Sequence, residues 1–203
     1  MEKPPDQSLS SLRVDLWLDV ACLFKTRTEA QHACKGGKVD VNGQAAKPHR
    51  EVKPGDVIEG KGWKVTVGRA THVQPYLECL AYRLDAPDGS VCYTGDSGAS
   101  DEIVALAKGC DVLIHMNHYF SGTAPSPAYR AACGNHRDNA VTAKKAGVKT
   151  LVLTHLLAQI DQPRVREQIV QEIRQEFDGR VVWGEDLMEL GFTLPQVAKI
   201  EGY

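Results

Sequence analysis

Apolar and polar positions change their period twice along this chain. Residues 11–23, SLRVDLWLDVACL, place Val14, Trp17, Leu18, Ala21 and Cys22 at helical spacing, with Ser10 or Ser11 available as a cap. A second helix is predicted over about 27–35, anchored by Ala30, Ala33 and Cys34 and stopped at Gly36-Gly37. Lys38-Val39-Asp40-Val41 then alternates like a strand and runs into the hairpin turn Asn42-Gly43. Pro54-Gly55 marks another turn before Asp56-Val57-Ile58.

From Trp63 the texture differs. Strands are predicted over 63–67, 80–84 and 90–94, then over 111–115, 150–155 and 181–183. Helices are predicted over about 100–108, 137–146 and 163–177, the last with Val165, Ile169, Ile173 and Phe177 on one stripe. Residues 116–135, rich in Gly, Pro and Ser, read as a long loop. The sum is an α+β chain in three parts: a loose tail over 1–10, a small unit over 11–60, and an α/β half over 61–203.

Composition narrows the class. The chain has 203 residues, 42% of them hydrophobic, and a formal net charge of −2, so it is globular and not a polycation. Charge is uneven, however. Residues 25–53 hold Lys25, Arg27, Lys35, Lys38, Lys47, Arg50 and Lys53 against Glu29, Asp40 and Glu51, and such a local excess can hold phosphate. The six cysteines form no CxxC pair and read as small buried hydrophobes. No membrane-length apolar run and no signal-peptide core occur, so a cytoplasmic location is expected.

The first unit resembles an S4 RNA-binding domain of the type found in heat-shock protein 15. The resemblance rests on Arg-x-Asp-x-Trp-Leu from Arg13, Phe-Lys-Thr-Arg from Phe24, Gly-Gly-Lys-Val-x-Val-Asn-Gly from Gly36 and Lys-Pro-Gly-Asp-x-Ile from Lys53. It covers residues 13–58 and implies binding of structured RNA, ribosomal or transfer RNA, through Arg13, Lys25, Thr26, Arg27, Lys35, Lys38, Asn42 and Lys47. Duplex RNA is read by shape and phosphate, which suits a rigid basic surface. From the residues alone, Asn42 could instead hold a turn and Arg13 could pair within the fold. Leu16 stands where the family often has a basic residue.

In the second part Asp96 and His155 end strands, while His72, His115, His118 and His136 fall in loops. Carboxylate and imidazole at strand ends suit Zn²⁺ or Mn²⁺. Residues 63–192 resemble the second half of a metallo-β-lactamase-fold hydrolase, in the branch of tRNA 3′-processing ribonuclease, through SVCYTGDSG, SDEIVALAKGCDVLIH and HRDNAVTAKKAGVKTLVLTHL. The resemblance implies that Asp96 and His155 are metal ligands. It also places His136 near the catalytic centre, although the usual His-Ser-Thr is here His-Arg-Asp, and gives His72 a supporting place. The family's His-x-His-x-Asp-His signature is absent, and two ligands fall short of the three a catalytic zinc takes. The expectation is therefore an RNA-binding protein that is not an enzyme, its C-terminal half a truncated, non-catalytic scaffold. A metal-dependent phosphodiesterase or ribonuclease is the alternative. Such a half leaves one sheet face uncovered, and several hundred Å² of wet apolar surface would forgo on the order of 10 kcal/mol. A second copy in a homodimer or a protein partner is expected to cover it; cover by the first unit and a marginally stable product are the alternatives.

Overall fold

The computed structural model describes residues 12–191. The tail expected over 1–10 and the caps at Ser10 and Ser11 lie outside that range. The chain runs β1 (Leu12–Arg13), α1 (Val14–Val20), α2 (Arg27–Lys35), β2 (Val39–Val41), β3 (Gln44–Ala45), β4 (Glu51–Val52) and β5 (Val57–Gly60). It continues through β6 (Trp63–Arg69), β7 (Leu80–Ala86), β8 (Gly89–Tyr93), α3 (Asp101–Leu106), β9 (Val112–Met116) and α4 (Pro127–Ala132). Last come α5 (His136–Ala146), β10 (Thr150–Thr154), α6 (Val165–Glu176) and β11 (Arg180–Trp183).

Apart from the small β1–β4 pair, the strands form one nine-stranded sheet in the order β11-β10-β9-β8-β7-β6-β5-β2-β3. From β2 to β8 neighbours are antiparallel, whereas β8, β9, β10 and β11 run parallel. The switch follows the connections: hairpin turns join the early strands, and helices α3, α5 and α6 carry the chain across between the later ones.

Register decides which side chains meet. Val41, Ile58, Val65 and Leu84 stand in one row across β2, β5, β6 and β7. That face packs against Val14, Trp17 and Leu18 of α1 and Ala30, Ala33 and Cys34 of α2. Trp17 lies 5.7 Å from the Tyr82 ring of β7. The first unit therefore shares its core with strands of the second, and α1 and α2 cover this part of the apolar face. On the other face Leu113, Leu151 and Leu153 pack under Ala140 and Ala143 of α5 and Ile169 and Ile173 of α6. Val112, Val152 and Val182, which alternate with those positions, form a separate small cluster joined by Leu190.

Two expectations need correction. The helix expected over 11–23 is shorter, with Arg13 as its N-cap, because Leu12 and Arg13 pair with Val52 and Glu51 as strand. The loop expected over 116–135 contains α4, started by Ser126 accepting from the Tyr129 amide with Pro127 in its first turn. That Ser-Pro pair is a helix start embedded in residues that otherwise signal turns.

Candidate functional site

Two places gather the side chains singled out above. In the first, Thr26 caps α2: its hydroxyl accepts from the Glu29 amide, and the Glu29 carboxylate accepts from the Lys25 amide. This reciprocal box fixes the entry to α2, so Thr26 serves as a cap. Asp15 is fully buried beneath it and accepts from Arg13 at 3.0 Å, Arg27 at 3.1 Å and Gln31 at 2.7 Å. Burial alone would raise the Asp15 carboxyl, but these three donors override it and hold it far below the usual carboxylate range. The Arg13 and Arg27 side chains remain 46% and 44% exposed, so each guanidinium is anchored at one edge and open at another.

Asn42 is committed elsewhere. Its φ of 55° puts it in the left-handed region, its Nδ2 donates to Asp56 and its Oδ1 accepts from the Val57 amide, both at 2.8 Å. Its amide therefore closes the β2–β3 turn onto β5. Arg13, Gln31, Lys35, Lys47 and His49 line one groove of about 620 Å³. Lys25, Arg27 and Lys38 are not among its lining residues. His49 is an addition that charge counting alone does not single out.

The second place is the C-terminal edge of the parallel strands. Because β8, β9 and β10 run the same way, the residues just past their ends share one edge. Asp96 follows β8, His118 follows β9 and His155 follows β10. His155 Nε2 stands 3.6 Å from Asp96 Oδ1, and its Nδ1 stands 3.2 Å from Nδ1 of His118. His155 has φ 54°, a left-handed backbone that turns its ring toward both neighbours, and the Asn117 amide pins the preceding carbonyl of Thr154. Burial, followed by the neighbouring His155, pushes the His118 pKa below its ordinary value. Nearby, His72 Nδ1 lies 2.7 Å from the Ala132 carbonyl, so that nitrogen is the donor and Nε2 is left as an acceptor. Gly98 fits only because it lacks a side chain, since a Cβ there would come 2.0 Å from the Ala131 carbonyl.

The remaining histidines do not join this cluster. His115 sits within β9, not in a loop, and is fully buried on the helix-covered face. Its Nδ1 lies 3.4 Å from the Thr94 hydroxyl and its Nε2 has no partner. Burial drives its pKa down to about 4. His136 opens α5, fully buried, with Nε2 at 2.8 Å from Glu172 of α6 and Nδ1 accepting from the Ser121 amide. Glu172, held by Arg137 and then by His136, has its pKa lowered to about 2. His136 thus ties α5, α6 and the loop after β9 together.

Two ligands of one tetrahedral zinc, each about 2.0–2.1 Å from it, stand about 3.3 Å apart. The Asp96–His155 spacing and donor types match that geometry. The number does not: among the described residues no group of three or more His, Cys, Asp or Glu is placed to hold a metal ion. The pair has the spacing of two such ligands, one short of the three that a catalytic zinc takes.

Comparison with known proteins places both halves. The family model described as "S4 domain" matches residues 12–58. Ribonuclease Z of Mycobacterium bovis (strain BCG / Pasteur 1173P2) is 31% identical over 142 residues, 68% of this chain and 50% of that protein. The putative ribonuclease Z of Mycobacterium tuberculosis (strain CDC 1551 / Oshkosh) is 30% identical over 142 residues, 68% of this chain and 62% of that protein. The crystal structure of the metallo-β-lactamase-fold protein YhfI from Bacillus subtilis superposes with TM-score 0.55 at 24% identity, covering 69% of this chain and 55% of that one. The chain is an S4 domain joined to a region of metallo-β-lactamase fold. It spans about half the length of the first of these curated relatives. The expectation that the chain is not an enzyme is overturned here, because the relatives that match its second region are named ribonuclease Z.

Proposed function

We propose that the chain is an RNA-binding hydrolase: its S4 domain grips structured RNA, and its metallo-β-lactamase-fold region belongs to a metal-dependent phosphodiesterase or ribonuclease. The observation that carries this reading is the meeting of Asp96, His118 and His155 past three parallel strands, in a region similar to ribonuclease Z. Zn²⁺ or Mn²⁺ would be held by Asp96 and His155. A bound metal would supply a Lewis acid and a polarised water.

On the RNA side, Arg13, Lys35, Lys47 and His49 in one groove offer separated cations to a phosphate backbone. Asp15 holds Arg13 and Arg27 in place, so less side-chain freedom is lost when they meet phosphate. Lys25 and Lys38, outside the groove, would add longer-range attraction. Thr26 and Asn42 serve the surface through the backbone they fix.

Two arms test the reading on the full chain. Lys35→Ala/Lys47→Ala should weaken binding of a hairpin RNA about tenfold or more at 0.1 M salt and flatten the dependence of log affinity on log salt. Unchanged affinity would remove the groove from the account. Elemental analysis after loading with Zn²⁺ should show metal that Asp96→Ala and His155→Ala lose; equal metal in all three proteins would remove the site.

A further inference from the structure

A second cleft, of about 610 Å³, opens beside the strand-end cluster, within the range of roughly 300–1,000 Å³ usual for small-molecule sites. His118 belongs to both: it lines this cleft, and its ring centroid lies 4.6 Å from that of His155. The Tyr129 ring, 5.9 Å from His118, continues the wall, and Phe120, Leu157 and Ile160 extend it. No Lys, Arg, Asp or Glu lines it. It does carry uncharged polar groups. The Gln168 amide NH₂ donates to the Glu172 carboxylate, which can only accept, leaving Gln168 Oε1 as an acceptor. A flat ring with an amino edge matches such a cleft, because bases stack on aromatic faces and are read at their edges by neutral polar groups.

We propose that this cleft seats one nucleobase of the RNA, next to the phosphodiester presented to Asp96 and His155. The inference rests on the hydrolase reading above for its neighbour, but its test needs no turnover. In EDTA, the full chain is titrated with adenosine 5′-monophosphate and with ribose 5-phosphate, followed by NMR line broadening and shift changes. The nucleotide should bind at least tenfold tighter, since the two probes differ only in the base. Tyr129→Ala should remove about tenfold of that affinity, while Tyr129→Phe should keep it. Lys35→Ala/Lys47→Ala should leave the difference between the probes intact, separating this cleft from the S4 groove. Equal binding of the two probes overturns the proposal, as does full nucleotide affinity in a natively folded Tyr129→Ala protein. If Tyr129→Ala fails to fold, Leu157→Trp, which fills the cleft with a larger side chain, decides: lost nucleotide binding supports the seat and retained binding refutes it. With no metal present, failure of the hydrolase reading leaves this result standing, and the reverse holds too.

Discussion

At the residue scale, Asp15 is the best example of a charge that the fold uses for shape. It is fully buried and satisfied by Arg13, Arg27 and Gln31, which come from both sides of the break between α1 and α2. Removing it leaves three oriented donors without their acceptor, so Asp15→Ala should cost about 2–3 kcal/mol in urea unfolding. Because its pKa is lowered in the fold, its contribution is complete above the ordinary carboxylate value and disappears as pH falls through its folded value. His115 acts in the same direction for a different reason. Burial lowers it from 6.5 to about 4, so between those values the unfolded chain takes up a proton that the folded chain refuses. Stability should fall as pH drops across that window, and His115→Leu should lessen the slope of unfolding free energy against pH there. A variant with the same slope as the parent would show that His115 takes up protons alike in the folded and unfolded chain. The sequence could not separate these roles: Asp15 reads as one more polar helix position, and the pairing that puts His115 beside Leu153 under the helices shows only once the register is known.

At the element scale, α1 and α2 were legible from apolar spacing, and α2 begins and ends where its Thr26 cap and glycine stop signal. The strands were legible too, since β-branched runs between turn residues carry their own signal. Their order in the sheet was not, because pairing β2 with β5 and β8 with β9 depends on contacts distant in sequence. That order makes Trp17 a joint between units: its ring meets Tyr82 of β7, well past the S4 match. Trp17→Ala should therefore cost about 3–5 kcal/mol. It should shift a single urea transition seen alike by far-UV and tryptophan signals, not a separate one belonging to the first unit. Two resolved transitions would show that the shared core is not a shared folding unit.

At the scale of the whole molecule, one continuous sheet carries a basic groove near one end and a strand-end cluster near the other. The sequence singled out Asp96 and His155 by their strand-end positions but left His118 in one group with His72, His115 and His136, which look alike without strand direction. A useful cue was that His118, like Asp96 and His155, falls within three residues of a strand's end. Of the seven basic residues in 25–53, only the fold shows that Lys35 and Lys47 share a groove. Among the described residues no helix is long and apolar enough to cross a membrane.

The most direct trial of the account is cleavage of an end-labelled hairpin RNA by the full chain with added Mn²⁺. Fragment release should require the metal, vanish in Asp96→Ala, and need several-fold more RNA for half-maximal rate in Lys35→Ala/Lys47→Ala. Release that persists in EDTA or in Asp96→Ala, or no release from any RNA offered, would contradict a metal-dependent centre served by the S4 domain.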